Sequence, residues 1–275
     1  MKLFSPDAAH WYQRDGVPLH TVPSLKGEPR ATTLRDARKL GLLPSVTNIL
    51  GVIAKPELTA WLQEQAVLAA LTLPRVAGES EDAFAKRVVT DALTTRDGAA
   101  DFGTAFHHGA ERVARTLEVD PADPLAEWLR HYRDWYQANA VVLHWTERVL
   151  VNAELGYAGT ADLLIQHPVH GLTLVDLKTQ GVKPGNDPST YKSWGYQLAA
   201  YRRVLGRPVA CMNLIVNSRE AHPPVEAPWT EPELERCWEA FEAAMALWRV
   251  EKKFDPRQKP KVRSQESEAG MAEAA

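Results

Sequence analysis

The fold is decided by three consecutive stretches: GYAGTADLLIQ at residues 156–166, GLTLVDLKTQ at 171–180 and YKSWGYQLAAYRRVLG at 191–206. The first two contain apolar runs next to glycines, which predict strands over 159–166 and 172–178. The third predicts a helix over 189–205 that ends at a glycine, Gly206. Asp162 and Asp176 interrupt the two predicted strands, and a carboxylate inside so apolar a run is unfavourable unless another group compensates it. We therefore expect both acids to have charged partners.

The elements around this segment predict helices on both sides of a small sheet. Residues 1–45 are predicted to be an irregular arm with one hairpin. Ser45 or Thr47 is expected to cap a helix that begins near Val46, since a hydroxyl accepts the unpaired N–H groups at a helix start. Pro56 restarts the chain as a helix. The further predicted helices span 57–72, 81–93, 103–117, 125–139 and 231–251, with a short connection at 96–102, and the further strands span 146–153 and 209–216.

This order predicts an α/β (α+β) fold with a small mixed sheet flanked by helices. We expect a mainly helical N-terminal region over 1–100, a core over 101–254, and a disordered tail over 255–275. Three of the four strands follow one another closely enough for an antiparallel meander.

Composition excludes several classes of protein. Hydrophobic residues make up 45% and charged residues 24%, as in ordinary globular proteins, and no run approaches the ~18 apolar residues of a membrane span. The N-terminus lacks an apolar signal core, and two cysteines, Cys211 and Cys237, are too few for a disulfide framework. We expect a cytoplasmic protein with no membrane partner.

Charge leaves the question of nucleic-acid binding open. The net charge of −3 argues against broad non-specific attraction to phosphate, but it leaves room for a local basic groove. Lysines and arginines cluster at residues 26–39 and 252–263. Each cluster has two interpretations, a solvated face or a contact with an acidic partner.

The spacing of Asp176 and Lys178 places both side chains on one face of a strand, because residues two apart on a strand point the same way. Asp162 reaches the same place if the two strands are neighbours. Carboxylates and a main-chain carbonyl suit Mg²⁺ or Mn²⁺. The alternative is a buried Asp–Lys ion pair with a structural role, which is the commoner meaning of D-x-K.

Polar residues elsewhere supply candidates for the same site. His107 and Glu111 lie one helical turn apart on one face, whereas His108 is rotated by about 100°. Glu147 opens the first predicted strand. Gln197 and Tyr201 are also one turn apart, and their alternative is a helix packing against the sheet.

Taken in order, the motifs GTAFH…E, E…GYAGTADLL, LVDLKT and YQLAAY resemble those of the PD-(D/E)XK nuclease superfamily. The pattern is most similar to the RecB-like exonuclease branch, which includes phage exonucleases and the mitochondrial genome maintenance exonuclease. The segment LPSVTNILGVIAKPELTAWLQEQA (residues 43–66) is similar to the N-terminal part of those proteins, so that the resemblance covers roughly residues 43–205. It implies a restriction-endonuclease-like core.

The resemblance also implies roles for single residues. It assigns metal binding to His107, Asp162, Asp176 and the main-chain carbonyl of Leu177, and catalysis to Asp162, Asp176 and Lys178. It assigns support of the site and nucleic-acid contact to Gln197 and Tyr201. The less regular acidic positions are Glu147 and Glu111, and Ser45 and Thr47 match a segment that contacts the DNA backbone. The four cysteines of iron–sulfur relatives are missing, so no such cluster is expected.

The implied function is a Mg²⁺- or Mn²⁺-dependent DNA exonuclease that hydrolyses phosphodiesters from single-stranded ends. The helical N-terminal region would form an arch over the strand, and Trp61, Trp194 or Tyr196 would stack on bases unless they are core residues. The implied setting is phage-type recombination, replication or repair, with a recombination or single-strand-binding protein as possible partner and an open oligomeric state. The alternatives are a structure-specific or restriction-type endonuclease, and a catalytically dead nucleic-acid-binding module.

Overall fold

The computed structural model describes residues 10–258, and within them the chain forms seven helices and nine strands. The helices are α1 (Leu34–Leu40), α2 (Val46–Leu50), α3 (Pro56–Thr72), α4 (Glu81–Thr116), α5 (Ala126–Asn139), α6 (Lys192–Leu205) and α7 (Glu231–Lys252). The strands are β1 (Trp11–Tyr12), β2 (Thr21–Pro23), β3 (Pro29–Ala31), β4 (Leu43–Pro44), β5 (Val142–Asn152), β6 (Tyr157–His167), β7 (Gly171–Gln180), β8 (Ala210–Asn217) and β9 (Val225–Trp229). The fold is α+β, as predicted.

The chain divides into two compact units. The first takes the described residues up to 50, together with 149–159 and those from 244 onward, and the second takes 51–148 and 160–243. The division predicted from the sequence, near residue 100, stays a prediction. The tail predicted over 255–275 lies outside the described residues from 259 onward.

The five-stranded sheet is mixed, with strand order β5-β6-β7-β8-β9. β6 and β7 pair antiparallel, β7 and β8 parallel, and β8 and β9 antiparallel. A parallel pair needs a crossover connection, and α6 supplies it between β7 and β8. The core of the second unit joins α4 and α5 to this sheet through buried side chains such as Phe106, Leu129, Val175 and Leu214. The predicted small mixed sheet with flanking helices is confirmed.

Helix α4 differs from the prediction. Two helices with a connection at 96–102 were expected, but one continuous helix of 36 residues runs from Glu81 to Thr116. Ser80 caps it, and no proline interrupts it. Gly103 does not break the helix; it lets the helix approach the sheet, because a Cβ there would lie 3.1 Å from the Thr179 hydroxyl. Gly103 thus serves the packing of α4 on the sheet, whereas a Cβ at Gly98 would meet nothing within 4 Å.

The first unit contains the predicted hairpin, β2–β3, and two elements of the arm that were not predicted. A two-stranded sheet pairs β1 with β4, and α1 begins with a capping box formed by Thr33 and Asp36. The expected cap of α2 is present, because the Asn48 N–H donates to the Ser45 hydroxyl at 3.0 Å. Trp11 and Trp248 are buried in this unit with their rings 6.3 Å apart.

Several other predictions are confirmed, and one strand of the five-stranded sheet was missed. Helix α3 starts at Pro56, and α6 ends at Gly206 in the left-handed conformation (φ 61°). Strand β9 was not predicted, because PVEAPW has no clear alternation and contains a proline near its end. In the described part of the chain, no helix is both long enough and apolar enough to cross a membrane.

Candidate active site

The site begins where strands β6 and β7 separate. Their antiparallel register runs from His167 opposite Gly171 up to Leu163 opposite Val175. Asp162 precedes Leu163 on β6. Here a side chain, and not a main-chain carbonyl, accepts the hydrogen bond from β7: the Leu177 N–H donates to the Asp162 Oδ2 at 2.7 Å. The Thr146 hydroxyl donates to the Asp162 carbonyl at 3.0 Å. Asp162 is thus held from both sides, and the hydrogen bonds of its backbone and side chain compensate its burial.

Asp176 and Lys178 form a close ion pair on β7. The Lys178 Nζ lies 2.7 Å from the Asp176 Oδ2, and Asp176 is 2% exposed. Burial raises the pKa of Asp176 to about 6, although the nearby Lys178 lowers it and Asp162 raises it further. The structural alternative to catalysis, a buried Asp–Lys pair, is therefore present in the molecule, and its significance depends on what surrounds it.

Helix α6 holds the lysine from the other side. The Lys178 Nζ donates to the Gln197 Oε1 at 3.1 Å, and the Gln197 amide donates to the Tyr201 hydroxyl at 3.4 Å. Gln197 and Tyr201 lie one turn apart on α6. The structure thus brings together the four residues Asp176, Lys178, Gln197 and Tyr201, which the sequence placed in one site.

A second group of ligands adjoins the first. One potential ligand atom each of His107, Glu147 and Asp162 lies within 4.8 Å of the others, and His107 Nδ1 is 3.6 Å from Asp162 Oδ1. Within residues 10–258 no other group of three His, Cys, Asp or Glu side chains meets this criterion. Imidazole and carboxylates together suit a divalent ion. The group contains Glu147, for which a lesser role was predicted, whereas Asp176 lies outside it.

Glu147 reaches this position through an unusual backbone. Its φ of 49° lies in the left-handed region, which is rare for a residue with a Cβ. Such a residue in a strand redirects its side chain, and the feature is frequent next to functional sites. Burial, Asp162 and Glu111, in that order, raise the pKa of Glu147 to about 8. The site therefore has an excess of negative charge that a cation would relieve.

The remaining predicted residues are not members of this group of three. Glu111 forms an ion pair of 2.6 Å with Arg115 and adds only its charge to the site. Ser45 and Thr47 belong to the first unit, where their hydroxyls are 3.0 Å apart at the start of α2. His108 is exposed.

Sequence reasoning missed two polar residues near the acids, Asn213 and Trp229. Asn213 is fully buried on β8 and donates to Asp176. A signal was present, because an asparagine interrupts the apolar run CMNLIV just as the aspartates interrupt theirs. The indole of Trp229 bonds to Asn213, and nothing in the sequence pointed to it.

No protein-family pattern matches the chain, and no curated protein matches it. Among solved structures, SSO0001 is similar at 14% identity and a TM-score of 0.28, over 74% of this chain and 89% of that protein. A structure named "Putative exonuclease" from Eubacterium rectale is similar at 9% identity and a TM-score of 0.38, over 80% of this chain and 84% of that one. Likeness of this degree says nothing on function, which must be inferred from the geometry of the site.

Proposed function

We propose that the chain is a Mg²⁺- or Mn²⁺-dependent nuclease, and more specifically a DNA exonuclease that degrades single-stranded ends. The observation that carries this proposal is the adjacency of two groups, the Asp176–Lys178 pair tied to Gln197 and the His107–Glu147–Asp162 group. The charges of Asp162 and His107 act on Asp176, and Asp162 accepts a hydrogen bond from Leu177, which lies between Asp176 and Lys178. The motifs in the sequence that resemble RecB-like exonucleases support the same assignment.

The donor set fits a divalent ion. Carboxylate oxygens are the preferred ligands of Mg²⁺, and an imidazole is well accepted by Mn²⁺. We assign ligation to His107, Asp162, Asp176 and the Leu177 carbonyl, with Glu147 as an additional oxygen donor. When bound, such an ion polarises a phosphodiester and makes a water molecule more acidic.

Side chains of the protein would stabilise the developing charge and orient the reacting groups. Lys178 is the cation next to the acids, so its ammonium group would stabilise negative charge that builds up on the phosphate, or orient the attacking water. Gln197 restrains Lys178 through its amide oxygen, and Tyr201 bonds to the amide of Gln197. Helix α6 would thereby hold the lysine ready in the absence of substrate.

We base the preference for a single strand on helices α3 and α4. Helix α3 packs against α4, and α4 also carries His107. At about 1.5 Å per residue the 36 residues of α4 extend over about 54 Å, well beyond the site. We propose that α3 and the first half of α4 guide the strand to the acids, with Trp61 of α3 available for stacking.

The biological setting we propose is recombination, replication or repair of phage type, in the cytoplasm. The support for it is the resemblance of the motifs alone. A recombination protein or a single-strand-binding protein would be the natural partner, because each presents single-stranded DNA.

The test is digestion of linear DNA labelled at the 5′ or the 3′ end, single- or double-stranded, and of circular single-stranded DNA and RNA. Reactions contain Mg²⁺, Mn²⁺ or EDTA. We expect metal-dependent loss of linear single strands, an intact circle, and loss of activity in Asp176→Asn. Asp134→Asn, which removes a surface carboxylate paired with Arg133, is the control and should be fully active.

Four results would contradict parts of the proposal. Cleavage of the circle would replace the exonuclease by a structure-specific endonuclease. Faster degradation of RNA would change the substrate. Absence of degradation of every nucleic acid with either metal, or full activity of Asp176→Asn, would refute the nuclease assignment.

A further inference from the structure

Asn213 is a fully buried polar residue that contacts the site from strand β8. In the parallel pairing of β7 and β8 it lies opposite Asp176, so the two side chains share one face of the sheet. Its Nδ2 donates to the Asp176 Oδ2 at 2.7 Å. Burial of an amide is costly unless its donor and acceptor both find partners, so its second contact is also informative.

That second contact fixes the orientation of the amide. The Trp229 Nε1–H donates to the Asn213 Oδ1 at 2.8 Å. An indole nitrogen can only donate, so the amide oxygen must face Trp229 and the amide nitrogen must face Asp176. The Trp229 ring is itself confined, because a Cβ at Gly195 of α6 would lie 2.7 Å from its atoms. Trp229, Asn213 and Asp176 thus form a chain of hydrogen bonds across three strands.

Only one of the two carboxylate oxygens of Asp176 accepts hydrogen bonds from the described residues. Its Oδ2 accepts from both Asn213 and Lys178, at 2.7 Å each. Within residues 10–258, no donor bonds to its Oδ1. One oxygen is therefore tied to the protein, and the other is left to bind a cation in a monodentate manner.

The two donors to Asp176 differ in how firmly their side chains are held in place. The Lys178 ammonium has a flexible stem and must turn toward the substrate if it acts on phosphate. Asn213 is confined by its neighbours, so it keeps its bond to Asp176 when the lysine leaves. Without it, the carboxylate would rotate once Lys178 moves away.

We propose that Asn213, oriented by Trp229, is a positioning residue that keeps the Oδ1 of Asp176 directed toward the metal ion. This inference rests on the metal site of the proposed function. Partners that orient the ligands of a metal typically contribute about tenfold to a hundredfold to its affinity.

The experiment is calorimetric titration of Mn²⁺ into the full chain, without nucleic acid, for the wild type, Asn213→Leu and Trp229→Phe. Asn213→Leu removes the donor and keeps the branched shape of the side chain. Trp229→Phe keeps an aromatic ring but frees the amide to turn. Trp128→Phe is the matched control, since its indole donates at 2.8 Å to the carbonyl of Asn217 on the same strand and has no link to Asp176.

We expect Asn213→Leu to weaken Mn²⁺ binding about tenfold to a hundredfold. Trp229→Phe should weaken it less, because a freed amide still offers its N–H to Asp176 in part of the molecules. Trp128→Phe should bind as the wild type does. If Asn213→Leu fails to fold, as thermal unfolding would show, the comparison of Trp229→Phe with Trp128→Phe still decides the question.

The inference is overturned if folded Asn213→Leu and Trp229→Phe bind Mn²⁺ as tightly as the control, or if the wild type binds no Mn²⁺. Degradation of DNA, measured in parallel, separates this failure from that of the proposed function. Metal-dependent cleavage with unaffected variants refutes only the role of Asn213. Mn²⁺ binding that the variants weaken, without cleavage of any nucleic acid, refutes only the nuclease.

Discussion

Replacing Glu147 by glutamine should stabilise the metal-free protein, although it removes a proposed ligand. Glu147 adopts a rare backbone conformation and places its carboxylate within 4.8 Å of ligand atoms of Asp162 and His107. Its pKa is raised to about 8, which means that the folded protein disfavours its ionised form. Glutamine keeps the shape of the side chain and removes the charge.

Burial is the largest cause of the raised pKa of Glu147, and Coulomb's law gives the part of the destabilisation that charge repulsion adds. Two unit charges 4.8 Å apart repel by about 1 kcal/mol in water and about 3.5 kcal/mol at an effective dielectric constant of 20. Glu147 is only partly buried, so solvent screening favours the lower half of this range, about 1 to 2 kcal/mol. Between the ordinary pKa of 4.5 and about 8 the folded state holds the proton more tightly than the unfolded state, so wild-type stability falls as pH rises.

The assay is urea unfolding in EDTA at pH 5, 7 and 9. The free energy of unfolding of Glu147→Gln should exceed that of the wild type by a margin that grows from pH 5 to pH 8 and then stays constant. With Mn²⁺ added, the variant should gain less stability than the wild type does. Glu242→Gln, at an exposed position of α7, is the control and should change stability by less than about 0.5 kcal/mol. A variant that is less stable at every pH, or a gain without pH dependence, would refute this reasoning.

Three further predictions concern packing and pairing. Ser45→Ala removes the cap of α2 and should lower the free energy of unfolding by about 1 kcal/mol in urea; an unchanged value would mean that the cap contributes nothing. Gly195→Ala places a methyl group 2.7 Å from the Trp229 ring and should lower the free energy of unfolding by about 1 to 3 kcal/mol, as measured by calorimetry. An unchanged Tm would mean that the ring moves aside without strain. Lys178→Met leaves Asp176 without its cation and should cost about 3 kcal/mol at pH 8 and less at pH 5, where the carboxyl group is protonated. Equal losses at both pH values would contradict this account of the pair.

The sequence predicted those elements whose signals are local. Strands β6 and β7 were visible as apolar runs next to glycines, and the ends of α3 and α6 were marked by Pro56 and Gly206. The continuity of α4 was not predicted, because its packing on β7, where Gly103 lies next to Thr179, cannot be inferred from the sequence. Strand β9 escaped because its pairing with β8, and not its own alternation, makes it a strand.

The residues of the site also divide into those that the sequence marks and those that it does not. Asp162 and Asp176 were found because a charge in an apolar run needs an explanation, and the same argument applied to Asn213 would have found it. The position of Glu147 could not be predicted, since nothing in the sequence marks the left-handed backbone (φ 49°) that this residue adopts within β5.

The charge of the site favours catalysis over a merely structural Asp–Lys pair. A structural pair needs one carboxylate for one ammonium group, and Asp176 with Lys178 would satisfy that on their own. Glu147 and Asp162 add two carboxylates to the site, and Arg115, whose charge also acts on Glu147, is itself paired with Glu111, so two negative charges remain when Asp162, Asp176 and Glu147 are ionised. The raised pKa of Glu147 shows how the metal-free protein reduces this excess, by retaining a proton. One divalent ion bound next to His107 would neutralise these two negative charges. Without such an ion, the burial of carboxylates that have no cationic partner would destabilise the fold and contribute nothing to it.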